Sequence, residues 1–112
     1  MAYNEFLADR IRSSLKQKRI GFEEKRMIGG LCFLVRNKMC LGIVKDNLMA
    51  RIDPEIYNEA LTKKGCSEMD FTGRPLKGFV FVDAIGTNMD ADLNYWISLA
   101  LKFNPKARSI NK

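Results

Sequence analysis

The hydrophobic positions of this chain change their spacing along its length, and each change predicts a different element. Near the N-terminus an apolar residue recurs every four positions, which predicts an amphipathic helix over residues 4–19. Asn4 is suited to cap the start of this helix, and Gly21 is suited to end it. The apolar stripe consists of Tyr3, Leu7, Ile11 and Leu15.

Short runs of residues separated by turn residues then predict β-strands: the first run is highly charged, the fifth alternates charged and apolar residues, and the others are mainly apolar. The runs occupy residues 22–28, 31–35, 39–44, 48–52, 66–71 and 79–82. The first four are joined by connections too short for a parallel crossover, so they form antiparallel hairpins. Charges of both signs place the first strand at a sheet edge, whereas the unbroken apolar run 79–82 predicts a central strand covered on both faces. Gly42 indicates a bulge or the close approach of another backbone.

Two more helices complete the pattern. Asp53-Pro54 joins a capping carboxylate to a proline suited to the first helical position, and the helix it starts buries one apolar face. Residues 88–104 form a third helix that is apolar nearly all round and is stopped by Pro105. Its apolarity predicts burial, with a dimer interface as the alternative. The buried face of the second helix consists of Ile56, Tyr57, Ala60 and Leu61.

The element order α-β-β-β-β-α-β-β-α predicts an α+β fold. In this two-layer arrangement, helices pack on one face of an antiparallel β-sheet. The length of 112 residues suits one domain, which we place at residues 1–104, followed by a basic, frayed tail over residues 105–112.

The formal net charge of +6 favours polyanionic partners only weakly. A solvated outer face is the simpler interpretation of the basic positions on the first helix, and contact with nucleic acid is the alternative. These positions are Arg10, Arg12, Lys16, Lys18 and Arg19, and the tail adds Lys106, Arg108 and Lys112. No apolar run reaches the roughly 20 residues that cross a bilayer, and no secretory signal opens the chain. We therefore expect a cytoplasmic protein without membrane contact.

The chemistry-bearing residues do not assemble a recognisable catalytic or metal site. The chain has no histidine, and its three cysteines lie too far apart in sequence for the close pairs of a zinc site. Core packing is the simplest role for these thiols, and alternation with apolar residues along an exposed strand edge accounts for the first two carboxylates, Glu68 and Asp70. The residues concerned are Cys32, Cys40, Cys66, Glu68, Asp70 and Asp83. We therefore expect that the protein is not an enzyme and that it binds neither a cofactor nor a metal ion.

The ordered set of motifs resembles the N-terminal domain of the TfoX/Sxy family. Met27-Ile28-Gly29-Gly30 is close to the family's Met-Phe-Gly-Gly, and Leu48-Met49-Ala50-Arg51-Ile52-Asp53 and Lys77-Gly78-Phe79-Val80-Phe81-Val82 continue the match. The positions we take as the family signature are Met27, Gly29, Gly30, Arg51 and Asp53. The resemblance implies a standalone, two-layer α+β domain of a cytoplasmic bacterial protein. It also implies regulation of competence-gene transcription alongside another DNA-binding regulator, and it supplies no catalytic residue.

The leading hypothesis is a non-enzymatic interaction module that binds a protein partner, such as a transcription regulator. One alternative is a nucleic-acid-binding protein that uses the basic face of the first helix. The other is a small enzyme with a cysteine or carboxylate site.

Overall fold

The computed structural model describes residues 3–27, 30–70 and 75–107. Its helices are α1 (Glu5–Gln17), α2 (Tyr57–Ala60), α3 (Ala84–Thr87) and α4 (Asp90–Phe103), with 3₁₀ turns at Pro54–Ile56 and Asn104–Lys106. Its strands are β1 (Glu23–Met27), β2 (Gly30–Val35), β3 (Lys38–Val44), β4 (Asn47–Arg51), β5 (Cys66–Asp70) and β6 (Pro75–Val82).

The strands form one antiparallel sheet in the order β1-β2-β3-β4-β6-β5. Buried residues of α1, α2 and α4 share one core with inward-facing residues of the strands, so the helices cover a single face of the sheet. A smaller cluster, Cys32, Met39, Met49 and Met69, belongs to the other side and is built from strands alone. The predicted α+β fold is therefore confirmed.

Helix α1 begins as predicted and ends differently. The side chain of Asn4 accepts a hydrogen bond from the backbone N–H of Leu7, which makes it the N-cap. At the other end, Arg19 rather than Gly21 adopts the left-handed conformation, with φ of 59°. The N–H of Ile20 then returns to the carbonyl of Leu15 at 3.0 Å. The local hydrogen bonds close the helix without glycine.

Within the sheet, Gly42 marks a close approach and not a bulge. A Cβ at this position would lie 2.5 Å from the Cε of Met49 and 3.1 Å from the carbonyl oxygen of Leu31. The irregularity in the β2–β3 ladder lies elsewhere, because Phe33 pairs with Leu41 while the next residue pairs with Met39. The extra residue, Cys40, is therefore the bulged one.

Strand β6 is an interior strand but not a central one, because only β5 separates it from the sheet edge. Val80 and Val82 are fully buried on the helix side, whereas Phe79 and Phe81 are only partly buried on the other. The prediction that this strand is covered on both faces was therefore wrong. The edge position predicted for β1 is confirmed.

The helices after β4 and β6 are more broken than predicted. Asp53 does cap the backbone N–H of Glu55, but the first turn is 3₁₀ and α2 is only one turn long. The predicted helix over residues 88–104 starts at Asp90, and a separate α3 precedes it, capped by the Asp83 carboxylate on the N–H of Ile85 at 3.0 Å. Of the helices described here, none is both long and apolar enough to span a membrane.

The ordered fold continues past residue 104. Asn104 is buried and donates its side-chain amide to the carbonyl of Val35 at 3.0 Å, and Ala107 is also buried. The Lys38 ammonium donates to the carbonyl of Asn104 at 3.2 Å. Residues 104–106 thus form an ordered 3₁₀ turn that leads to the buried Ala107, with Pro105 and Lys106 exposed, while 108–112 lie outside the described residues.

Candidate interaction surfaces

The predicted basic cluster on α1 separates into two parts. Arg10 forms an ion pair with Asp90 at an N–O distance of 3.1 Å. Arg12 forms one with Glu24 at 2.6 Å. The other three cations, at the C-terminal end of the helix, are exposed: Lys16, Lys18 and Arg19. Sequence reasoning missed this division because the partners of the arginines come from other elements.

Arg12 connects helix α1 to the edge strand β1. Its guanidinium makes two bonds to the carboxylate of Glu24 on β1, at 2.6 and 2.8 Å, and a third to Asp9 at 2.7 Å. The hydrogen bonds from Arg12 hold the pKa of Glu24 below its ordinary value. A lowered carboxylate pKa stabilises the fold at pH values above the pKa of the unfolded state. This contribution is lost as the pH falls through the pKa of the folded state. The pair therefore fixes the edge strand most firmly near neutral pH.

Arg10 joins α1 to the corner between α3 and α4. Its NH2 group donates to the carbonyl of Thr87 at 2.8 Å, to that of Asn88 at 3.3 Å and to the carboxylate of Asp90 at 3.1 Å. One turn further along α1, the hydroxyl of Ser14 bonds the side chain of Asn94 at 2.9 Å. Four hydrogen bonds, three from Arg10 and one from Ser14, thus connect α1 to this part of the molecule.

Three large apolar side chains are exposed around this junction. Phe6 lies one helical turn before Arg10, while Ile85 and Met89 belong to the segment that Arg10 holds. Their exposed fractions are 74, 64 and 64%. Four large apolar side chains are exposed in the described part of the chain, and these three lie on the elements that Arg10 connects, whereas the fourth is Tyr95. We call Phe6, Ile85 and Met89 the junction surface.

Polar and acidic groups frame the junction surface. A cavity of about 330 Å³ opens between α1 and α4, and its lining includes Ser13, Ser14 and Asn94. Several carboxylates stand nearby, and three of them are already paired with a cation. The nearby acidic residues are Glu5, Asp9, Asp83, Asp90 and Asp92. An apolar centre with a polar rim is the usual composition of a protein interface.

A second groove lies between α2 and the C-terminal half of α4. Its volume is about 220 Å³, and its apolar lining comes from Ile56, Leu99 and Phe103. Tyr95 stands at its rim with the ammonium of Lys63 5.6 Å from the ring centroid. Helix α4 was predicted to be buried, but only one of its sides packs in the core. The other side lines this groove.

The three thiols are held in their protonated form. Burial raises the pKa of Cys32 to about 11, that of Cys40 to about 12 and that of Cys66 to about 11. Cys32 and Cys40 are buried, and Cys66 is half-buried. Because the thiolate is the reactive species, these residues behave as apolar packing groups.

The carboxylates considered for acid–base chemistry have structural or solvent-facing positions. Asp83 caps α3, and Glu68 is exposed on the edge strand β5. The side chain of Asp70 lies outside the described residues. Asp83 therefore has a structural role as a helix cap, and Glu68 faces the solvent.

The signature positions have distinct structural roles. Gly30 lies against the backbone of β3, Asp53 caps the 3₁₀ turn, and Arg51 projects from β4 onto the helix-free side of the sheet. The backbone of Met27 ends β1, whereas its side chain and the whole of Gly29 lie outside the described residues. Of the signature positions that the structure describes, Gly30 and Asp53 therefore have a role in forming the fold.

The fold and its surfaces define a small α+β domain with exposed apolar side chains near the α1–α4 junction and with thiols that are buried or half-buried. The sequence matches the TfoX N-terminal domain family over residues 15–104, and the chain belongs to that family. Neither the curated proteins nor the solved structures provide a match. The suspected family is thereby confirmed.

Proposed function

We propose that the chain is a non-enzymatic, cytoplasmic interaction module of the TfoX type that takes part in transcription regulation by binding a protein partner. The single observation that supports this most is the junction surface. Three large apolar side chains are exposed on elements that Arg10 connects, and contiguous exposed apolar surface is characteristic of binding sites. The raised thiol pKa values argue against the rival cysteine enzyme.

Paired substitution of the junction surface tests this proposal. Phe6→Ser with Met89→Ser removes two exposed apolar side chains, and we expect a protein partner captured from extracts of the source organism to be lost. Loss of central apolar anchors typically weakens binding by tenfold or more. Quantitative mass spectrometry of proteins retained by each immobilised variant measures the effect.

Tyr95→Ser is the matched control, because it removes an exposed aromatic from the other groove. Its capture profile should equal that of the wild type. Retention of every captured protein by the paired variant would contradict the proposal. Light scattering of the free protein shows whether the partner is a second copy.

A nucleic-acid role is the second candidate, supported by the exposure of Lys16, Lys18 and Arg19 at one helix end. If all three contact phosphates, the logarithm of affinity for duplex DNA should fall with log salt with a slope of about −2.7. Fluorescence anisotropy with labelled DNA and RNA across a salt series measures this slope. Lys16→Gln with Lys18→Gln should reduce it to about −0.9, and absence of binding at low salt would remove this candidate.

A further inference from the structure

Four cations gather around the C-terminal end of α4. Lys102 lies in the last turn of this helix, and Lys106 lies in the 3₁₀ turn that follows it. The β2–β3 turn brings two more to the same place. The guanidinium of Arg36 donates to the side-chain oxygen of Asn104 at 3.3 Å, and the ammonium of Lys38 donates to its carbonyl at 3.2 Å. We call Arg36, Lys38, Lys102 and Lys106 the cation cluster.

The charges of the cation cluster are not neutralised locally. No carboxylate in the described part of the chain forms an ion pair with any of the four, whereas both arginines of α1 are paired. Arg36, Lys102 and Lys106 are exposed to solvent. The negative end of the helix dipole explains why Lys38 binds the last carbonyls of α4. It does not explain why two further lysines line a groove.

The second groove adjoins the cation cluster, because Lys102 and Lys106 belong to both. The apolar part of its lining includes Leu99 and Phe103, and Tyr95, 40% exposed, stands at its rim. The groove volume of about 220 Å³ is smaller than the roughly 300 Å³ at which pockets for whole drug-sized ligands begin. The groove therefore suits one ring system, with the rest of the ligand outside it.

We propose that this groove and the cation cluster bind a single-stranded nucleic acid. One base enters the groove against its apolar and aromatic lining, and the neighbouring phosphates of the strand contact the cations. Aromatic side chains beside a positively charged surface are the usual elements of a single-strand site. The inference goes beyond the proposed protein interface, and it uses residues other than the exposed cations of α1.

Two carboxylates of the groove decide which part of a nucleotide it holds. Asp53 and Glu59 belong to the lining, and a carboxylate repels a phosphate. Carboxylate oxygens accept hydrogen bonds, which matches the amino and imino N–H groups at the edge of a base. The base therefore lies within the groove and the phosphates lie on its lysine side. A duplex fits poorly, because its bases are stacked inside the helix.

Fluorescence anisotropy at low salt with three labelled probes tests the proposal. The probes are an oligothymidylate of about twelve nucleotides, its duplex, and an abasic strand with the same number of phosphates. Oligothymidylate should bind about tenfold more tightly than either other probe, since contact with one base is worth about that factor. Equal affinity for the abasic strand or for the duplex would overturn the assignment, and so would absence of oligothymidylate binding.

Lys102→Gln with Lys106→Gln tests the phosphate contacts. The logarithm of oligothymidylate affinity should then depend less steeply on log salt, with a slope smaller in magnitude by about 1.4, or about 0.7 for each lost contact. Lys25→Gln with Arg26→Gln removes the same charge from the exposed edge strand β1 and should leave the slope unchanged. Equal reductions in both variants would show that net charge alone attracts the strand.

Tyr95→Ser separates base contact from charge attraction. The variant should bind oligothymidylate about tenfold more weakly and the abasic strand as tightly as the wild type does. Tyr95→Phe keeps the ring and should restore the affinity for oligothymidylate. Unchanged oligothymidylate affinity in Tyr95→Ser would contradict a base in the groove.

Two further variants keep this site apart from the surfaces proposed above. Phe6→Ser with Met89→Ser should leave oligothymidylate binding intact, and nuclease treatment of the extracts keeps the protein-capture experiment independent of nucleic acid. Either proposal can therefore fail alone. Loss of oligothymidylate binding in Lys16→Gln with Lys18→Gln, while the groove variants still bind, would place the strand on α1 and overturn this site.

Discussion

Gly30→Ala is expected to destabilise the protein by at least about 3 kcal/mol, a large fraction of the stability of a small domain. A Cβ at this position would lie 1.9 Å from the carbonyl oxygen of Ile43 and 3.2 Å from the Cα of Val44. Both atoms belong to the backbone of β3, so no side-chain rotation relieves the contact. The β2–β3 ladder has to separate beside its Leu31–Ile43 pair.

Urea unfolding followed by far-UV circular dichroism measures the loss. Gly21→Ala is the matched control, since a Cβ there meets nothing within 4 Å, and its free energy of unfolding should stay within about 0.5 kcal/mol of the wild type. Equal stability of the two variants would mean that β2 and β3 do not approach as described.

Trp96→Ala is expected to reduce the free energy of unfolding by about 3–5 kcal/mol. Trp96 is 2% exposed and is the largest side chain in the core that α4 shares with the sheet. Its removal leaves a cavity that the surrounding strands and helices fill only in part. Because it is the only tryptophan, the comparison needs circular dichroism and not intrinsic fluorescence.

Tyr95→Ala is the control for this variant. Tyr95 precedes Trp96 on the same helix but is 40% exposed. The two rings make an edge-to-face contact with 5.2 Å between their centroids. Loss of that contact and of the Lys63 cation–π contact should cost about 1 kcal/mol. A larger loss for Tyr95 than for Trp96 would show that α4 presents its other side to the core.

Local features were predictable from the sequence because their partners are close along the chain. The Asn4 cap binds a residue three positions away, and the Asp53 cap binds one two positions away. The β2–β3 hairpin needs only Arg36 and Asn37, whose φ values of 55 and 64° form a two-residue turn. The family match also followed from the order of such local motifs.

The candidate surfaces were not predictable in the same way. Arg10 finds its partners 77 to 80 positions along the chain, so helical periodicity alone assigned it to a solvated basic face. The break between α3 and α4 likewise escaped prediction, although the Asp83 cap offered a signal. Ile85 and Met89, two of the three residues of the junction surface, lie at this break and are exposed.

By itself, the sequence determined the α+β class, the antiparallel hairpins, the edge position of β1 and the membership of the TfoX N-terminal domain family. These follow from residue spacing, turn chemistry and short-range capping. Only the tertiary structure decided which side of the sheet the helices cover, which cations are paired and where Arg51 stands. Alternation along a strand tells which residues share a face, but the neighbours of that face come from distant segments.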